Sequence, residues 1–232
     1  RRAPAIVLLE PNAAPGLTNR LLAPIVDEVW GAQTTGVPVR ASLARLPSRE
    51  AAAARLGLSP SLRTLVAMGG SQGARRINDS VIDLVRSGAL PDGWQLLHLT
   101  GEGEYNSVRD AARAITGARY VARPYLDEMA DAYAVADLLL TRAGASTLAE
   151  LSALGKPAIL VPYPHAAEGH QAVNAARIEA CGAAVVVTDR QLQEGALPAL
   201  LAQTLESPRL EALTRAAQAS RGSDAVASIL AR

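Results

Sequence analysis

Met68-Gly69-Gly70-Ser71-Gln72-Gly73-Ala74-Arg75 joins an apolar run, Thr64-Leu65-Val66-Ala67-Met68, to a helical pattern carried by Ile77, Val81, Leu84 and Val85. That order reads as strand, small-residue turn, helix N-terminus. Glycines in such a turn let backbone approach an anion, and the first N–H groups of the helix then point at it. The usual anion is a phosphate, so the stretch predicts a nucleotide-type ligand without saying which one. It lacks the Gly-x-x-x-x-Gly-Lys-Ser/Thr pattern of a P-loop. Gly101-Glu102-Gly103 opens like a dinucleotide fingerprint, but Asn106 stands where the third glycine belongs.

Outward from this turn, short apolar strands alternate with helices. The strands are expected at Thr64–Met68, Gln95–Thr100, Arg119–Val121, Leu138–Thr141, Ala158–Val161 and Ala184–Val187. Helical spacing runs through Asp127–Val135, Ser146–Leu154 and Gln171–Ala180. The alternation predicts an α/β fold, a Rossmann-like parallel sheet with helices on both faces. Right-handed crossovers would bring the strand-to-helix loops to one edge of that sheet, where such folds bind ligands. Before Thr64 the pattern changes: Ala5–Leu9 reads as a strand, Thr18–Trp30 as a helix and Gly31–Pro38 as a linker. Ser48–Leu56 reads as a short helix capped by Ser48. Ser207–Arg232 reads as two helices split by Arg221-Gly222-Ser223-Asp224, with Ser223 or Asp224 as the second cap.

Bulk properties narrow the field. With 49% hydrophobic residues in 232, a sizeable core is available. A net charge of +1 lacks the basic excess of a general nucleic-acid or membrane-surface binder. The single cysteine, Cys181, allows no internal disulfide. No apolar run approaches the roughly 20 residues that span a bilayer. The chain has no initiating Met and opens on what reads as a buried strand, which suggests a piece of a longer protein.

Two further loops carry chemistry. Arg142-Ala143-Gly144-Ala145-Ser146-Thr147 also follows a strand and opens a helix, the one that carries Glu150. Ser146 or Thr147 as an N-cap, with Glu150 closing a capping box, would explain it locally. Alternatively two helix N-termini on one sheet edge face one anion, and the Glu150 carboxylate accepts from a ribose diol. The third loop is Pro162-Tyr163-Pro164-His165-Ala166-Ala167-Glu168-Gly169-His170-Gln171, followed by Asn174. Its His165, Glu168 and His170 lack the further ligand, at a sensible spacing, of a zinc site. Gln171 and Asn174 share a helix face and can exchange hydrogen bonds with sugar hydroxyls. No Ser-His-Asp order or close nucleophile–base pair supports a hydrolase.

Taken in order, these segments resemble one family. They are Glu10-Pro11-Asn12-Ala13-Ala14-Pro15-Gly16-Leu17-Thr18-Asn19, Gly36-Val37-Pro38-Val39-Arg40, Gly69 through Arg75 with Asn78, His98 through Gly101, Tyr125-Leu126-Asp127-Glu128-Met129, Arg142 through Glu150, and Pro162 through Asn174. The ordered set is similar to the bacterial N-acetylglucosaminyltransferase family that converts lipid I to lipid II in peptidoglycan synthesis, the MurG family of glycosyltransferase family 28. The resemblance implies a GT-B fold binding UDP-N-acetylglucosamine mainly through its C-terminal domain. Residues 1–33 would be the tail of the N-terminal acceptor-side domain, and 34–220 the donor-binding domain. Residues 221–232 would form a terminal helix returning toward the N-terminal part.

Residue by residue, the resemblance puts Leu126 against uracil and Glu150 on the ribose. Arg40, Ser71 with its neighbour Gln72, and the turn of Ala145, Ser146 and Thr147 would hold the diphosphate. Gln171, with His170 and Asn174, would read the sugar, and Asn12 would reach it from across the cleft. No cofactor or active-site metal is implied. The implied partners are the lipid I acceptor and the inner face of the bacterial cell membrane, with no nucleic acid.

The family's glycine- and histidine-containing N-terminal loop, where a catalytic base is sought, is not in this chain, and Leu9 stands where the family usually has His. The stretch from Ala32 to Gly36 is shorter than the family norm. The general base is therefore not assigned; Glu10 is a weak candidate, with packing or capping as its alternative, and the chain by itself is expected to be inactive. Two other readings stay open: a stand-alone UDP-sugar-binding module completed by a membrane-bound chain, and another GT-B enzyme such as a lipid galactosyltransferase or a sugar-nucleotide epimerase.

Overall fold

The structure, a computed structural model, describes residues 5–31, 36–70, 73–113 and 119–221. Six parallel strands form the main sheet: β3 (Arg63–Met68), β4 (Trp94–Leu99), β5 (Tyr120–Arg123), β6 (Ala136–Thr141), β7 (Ala158–Leu160) and β8 (Ala184–Val186). Their order across the sheet is β5-β4-β3-β6-β7-β8. The chain therefore lays strands outward in one direction from β3, returns to the other side of β3, and continues outward. The doubly wound α/β architecture follows from that reversal.

Both faces of the sheet are covered, which is why its strands read as nearly continuous apolar runs. Side chains alternate along β3: Val66 and Met68 enter one core with Leu97, Leu99 and Leu139, while Leu65 and Ala67 enter the other with Leu96, Leu138 and Leu140. The first face is closed by α2 (Arg49–Leu56), α5 (Met129–Val135) and α6 (Ala145–Leu154), through Leu56, Tyr133 and Leu151. The second is closed by α3 (Arg75–Arg86), with Ile77, Val81 and Leu84, and by α8 (Asp189–Gln193), α9 (Leu197–Leu205) and α10 (Ser207–Ala219), with Leu192, Leu201 and Leu210. Helices α4 (Glu102–Ala112) and α7 (His170–Ala180) complete the crossovers. The Ser48 side chain accepts from Ala51 N at 3.2 Å and caps α2 as its sequence suggests.

Residues 5–31 form a small unit. β1 (Val7–Glu10) and β2 (Glu28–Gly31) pair in parallel, with helix α1 (Leu17–Leu22) between them. The expectation of one helix over Thr18–Trp30 is corrected here. A 3-10 turn, Ala23–Ile25, follows Leu22, and β2 follows that. Pro24 has no N–H for an α-helical bond and its ring clashes with the preceding turn. Leu21, Ile25 and Val29 mimic a helical stripe, but all three are exposed rather than gathered on a buried face. The expected cap at Ser223 or Asp224 and its helix lie outside the described residues, as does 32–35 of the linker.

Candidate functional site

Strands β3 and β6 lie side by side in register, with Met68 opposite Thr141, yet their crossovers diverge to opposite faces of the sheet. Gly69 and Gly70 after β3 and the turn of Arg142–Gly144 after β6 therefore leave the same sheet edge together. The strand order reverses at this point, the usual ligand position in open α/β sheets. The glycines are needed for shape. A Cβ on Gly69 would sit 2.3 Å from Ala74 N, and one on Gly73, whose φ is +75°, would sit 2.4 Å from Thr100 O. Ser71 and Gln72, expected to hold the diphosphate, lie outside the described residues.

The N-terminus of α6 stands at the same sheet edge. Its N-cap is Gly144, and among the described residues no side chain caps it. The capping-box alternative is thereby corrected: Ser146 and Thr147 stand inside the first turn, not before it. The leading N–H groups at Ala145, Ser146 and Thr147 have no intrahelical acceptor, and the helix dipole adds partial positive charge there. Ala74 begins α3 in the same manner, again without a side-chain cap among the described residues. Two such ends suit an anion between them.

Glu150 lies on α6, one turn beyond these N–H groups, and is nearly buried at 8% exposure. The Tyr133 hydroxyl donates to its Oε2 at 2.5 Å, and Arg40 Nε lies 3.3 Å from its Oε1. Burial, together with the charge and hydrogen bond of Glu150, pushes the Tyr133 phenol far above its ordinary range, so it keeps its proton to donate. Arg40 thus meets Glu150 rather than standing apart from it. Leu126 lies partly buried against the core cluster that contains Tyr133 and Leu148.

The third loop is drawn toward the small N-terminal unit. Asn174 is buried; its Oδ1 accepts from Ala13 N at 2.8 Å and its Nδ2 donates to Asn12 Oδ1 at 3.2 Å. Asn12 and Asn174, 162 residues apart, are thus brought together. Gln171 accepts from Tyr163 N at 2.9 Å, so its amide oxygen braces the loop. His170 stands beside Gly16, with Nε2 3.6 Å from where a Cβ on that glycine would be. Glu168, held at φ +49°, accepts from Leu17 N at 3.1 Å and from Arg20 at 3.2 Å. Among the described residues no group of three His, Cys, Asp or Glu side chains could hold a metal ion.

Glu10 is buried and saturated. It accepts from Asn12 N at 2.8 Å, Asn12 Nδ2 at 3.1 Å, Gly16 N at 3.0 Å and Asn19 Nδ2 at 2.7 Å. Burial pushes its carboxyl upward, but these hydrogen bonds together outweigh it and hold it below the ordinary value. An oxygen pair so occupied shapes the 11–16 loop and makes a poor proton acceptor.

The profile of the glycosyltransferase family 28 C-terminal domain matches residues 64–229. The chain belongs to glycosyltransferase family 28. Three relatives carry the name UDP-N-acetylglucosamine–N-acetylmuramyl-(pentapeptide) pyrophosphoryl-undecaprenol N-acetylglucosamine transferase. The one from Desulfitobacterium hafniense is 41% identical over 93% of this chain, that from Sorangium cellulosum 40% over 97%, and that from Frankia casuarinae 39% over 100%. This family 28 chain spans 58–65% of the length of these relatives. The crystal structure of Acinetobacter baumannii MurG superposes with a TM-score of 0.71 at 25% identity, covering 93% of this chain and 61% of that one. The lipopolysaccharide glycosyltransferase WaaG, at 18% identity and a TM-score of 0.54, shares the fold. The α/β sheet is thus of the GT-B glycosyltransferase type.

Two contacts near this candidate site escaped the sequence reading. Tyr133 was visible only as one apolar position on a helix face, and nothing in its spacing pointed its hydroxyl at a residue 17 positions later. Arg142 was visible at a strand end, but its tie is to Asp189, whose two oxygens accept from Nη1 and Nη2. The pair links the exit of β6 to α8.

Proposed function

We propose that this chain is the donor-binding part of an inverting glycosyltransferase that moves N-acetylglucosamine from UDP-N-acetylglucosamine to the muramoyl sugar of lipid I, making lipid II for peptidoglycan. The observation that carries this reading is the pair of helix N-termini at the point where the strand order reverses, with a buried carboxylate one turn inside α6. The names of the relatives supply the sugar and the acceptor. On this reading the diphosphate lies across the ends of α3 and α6, with Ser71, Gln72, Ala145, Ser146 and Thr147 around it. Glu150 takes the ribose hydroxyls and Leu126 the uracil face. Gln171, His170, Asn174 and Asn12 surround the sugar.

Inverting transfer builds negative charge on the departing UDP. Oriented N–H groups stabilise that charge without having to reorganise, and the Arg40 guanidinium adds to it once it exchanges Glu150 for the diphosphate. The acceptor and the general base belong to the remainder of the relatives' length. Residues 1–33 are assigned to the tail of that acceptor-side domain, 34–220 to donor binding and 221–232 to a returning helix. The exposed apolar side chains of Ile6, Leu9, Leu17, Leu21 and Ile25 support the first assignment. Among the described residues no helix is long and apolar enough to cross a membrane. The proposed place of action is peripheral, on the cytoplasmic face of the cell membrane where the lipid acceptor lies.

Calorimetric titration tests the ligand. UDP-N-acetylglucosamine is expected to bind more tightly than UDP-galactose, and equal affinities would remove the cell-wall assignment. Glu150→Ala is expected to weaken UDP itself by roughly 10- to 100-fold, the usual value of hydrogen bonds to a charged group. Unchanged UDP affinity would take Glu150 out of the site.

A further inference from the structure

Glu150 has two oxygens with different partners, and the difference is one of permanence. Oε2 faces inward and accepts from Tyr133, a residue with no exposed surface that packs in the same core as Leu139, Leu148 and Leu151. Oε1 faces Arg40, whose side chain is 52% exposed and reaches in from the segment before α2. A fully packed phenol on α5 cannot leave without opening the core, whereas a half-exposed guanidinium can swing into water. The inward bond therefore persists when a ligand enters, and Oε1 is the oxygen open to exchange.

Building on the UDP reading above, we infer that Tyr133 is a positioning residue: its hydroxyl pins Oε2 of Glu150 and so aims the carboxylate at the two ribose hydroxyls. The chemistry fits the task. An ionised carboxylate only accepts, and a carboxylate that must accept from a diol needs its rotation stopped by a donor that does not compete for the ligand. A phenol supplies one donor from the core side and leaves the outward lone pairs free. Phenylalanine at this position would fill the same space but leave a buried oxygen without a partner, and the carboxylate would turn toward Arg40 or water. Among the described residues no buried side-chain nitrogen or oxygen now lacks a partner.

The experiment compares UDP with 2′,3′-dideoxyuridine diphosphate, which has no diol, by calorimetric titration into the wild-type chain and Tyr133→Phe. Wild type is expected to prefer UDP. In Tyr133→Phe the UDP affinity is expected to fall by about tenfold, the order expected for one charged hydrogen bond, while dideoxy affinity stays within about twofold. In a Glu150→Ala background, Tyr133→Phe is expected to add no further loss, because the group it aims is gone. An equal loss for both ligands would mean that Tyr133 merely supports the fold, and would overturn the proposal. So would a full UDP preference retained in Tyr133→Phe. A wild-type protein with no preference for the diol would instead overturn the ribose role of Glu150, and with it this proposal. Glu150→Asp leaves the tyrosine and the core intact, so it tests the same geometry even if Tyr133→Phe does not fold. The shortened carboxylate is expected to lose the preference, and an undiminished preference would overturn the need for an aimed group.

Discussion

At the residue scale, Glu10 illustrates how a carboxylate can be structural where a catalytic reading tempts. Its four donors come from Asn12, Gly16 and Asn19, all within the loop and helix that follow it. Because its folded pKa lies below the ordinary carboxyl value of 4.5, its contribution to stability is complete above that value. The contribution is lost as pH falls through the lower folded pKa, since the unfolded chain then takes up the proton first. Glu10→Gln is expected to cost about 1–3 kcal/mol at neutral pH, the usual cost of unmaking buried bonds to a charged acceptor. It should also flatten the acid limb of the stability curve, as read by chemical denaturation at pH 7 and pH 4. A variant as stable as wild type at pH 7 would show that the bonds add nothing.

At the element scale, the start of α3 is held by a buried polar chain linking α3, β4 and β5. Asn78 Nδ2 donates to Thr100 O at 2.9 Å, which turns its Oδ1 to His98 Nε2 at 3.0 Å. His98 Nε2 must then carry the proton, and Nδ1, at 2.9 Å, accepts from the Tyr120 hydroxyl. This arrangement holds the first turns of α3 against the same Thr100 carbonyl that Gly73 approaches. Burial drives His98 down to about 3 from an ordinary 6.5, so it stays neutral in the folded protein. The unfolded chain binds the extra proton first. Stability is therefore full above about 6.5 and falls by up to about 1.4 kcal/mol per pH unit between there and the folded value. His98→Gln is expected to lower the urea midpoint at pH 7.5 yet shallow its decline from pH 6.5 to pH 4.5. An unchanged slope would mean that His98 does not govern this part of the acid response.

At the scale of the whole molecule, the described chain is unevenly finished. Its six-stranded unit buries both faces of its sheet, whereas the β1–α1–β2 unit leaves apolar surface open. Among the described residues, eight of the eleven exposed large hydrophobic side chains lie from Ile6 to Val29, with Leu21 at 69% and Ile25 at 72% exposure. Apolar surface gathered in this way favours association. Sedimentation velocity is expected to show concentration-dependent self-association of this chain, reduced in the double variant Leu21→Lys/Ile25→Lys. Equal sedimentation of the two proteins at all concentrations would contradict that use of the surface.

Sequence alone was enough for the α/β alternation, all six main strands to within two residues at either end, and the loops that leave them. It was enough because strands buried on both faces are short apolar runs, and glycines mark the turns that need close backbone approach. The helix from Thr18 to Trp30 was misread because an apolar spacing of four residues is the same on paper whether a helix carries it or a helix, a proline turn and a strand share it. The site divided along the same line. Glu150, Asn174 and the two glycine-bearing turns were legible as residue types at helix starts. That Tyr133 and Arg40 hold opposite oxygens of Glu150, and that Asn12 meets Asn174, became known only from the tertiary structure. Those contacts join positions 17 to 162 residues apart, and no local pattern encodes which way a buried hydroxyl or amide points once the strands have been ordered around β3.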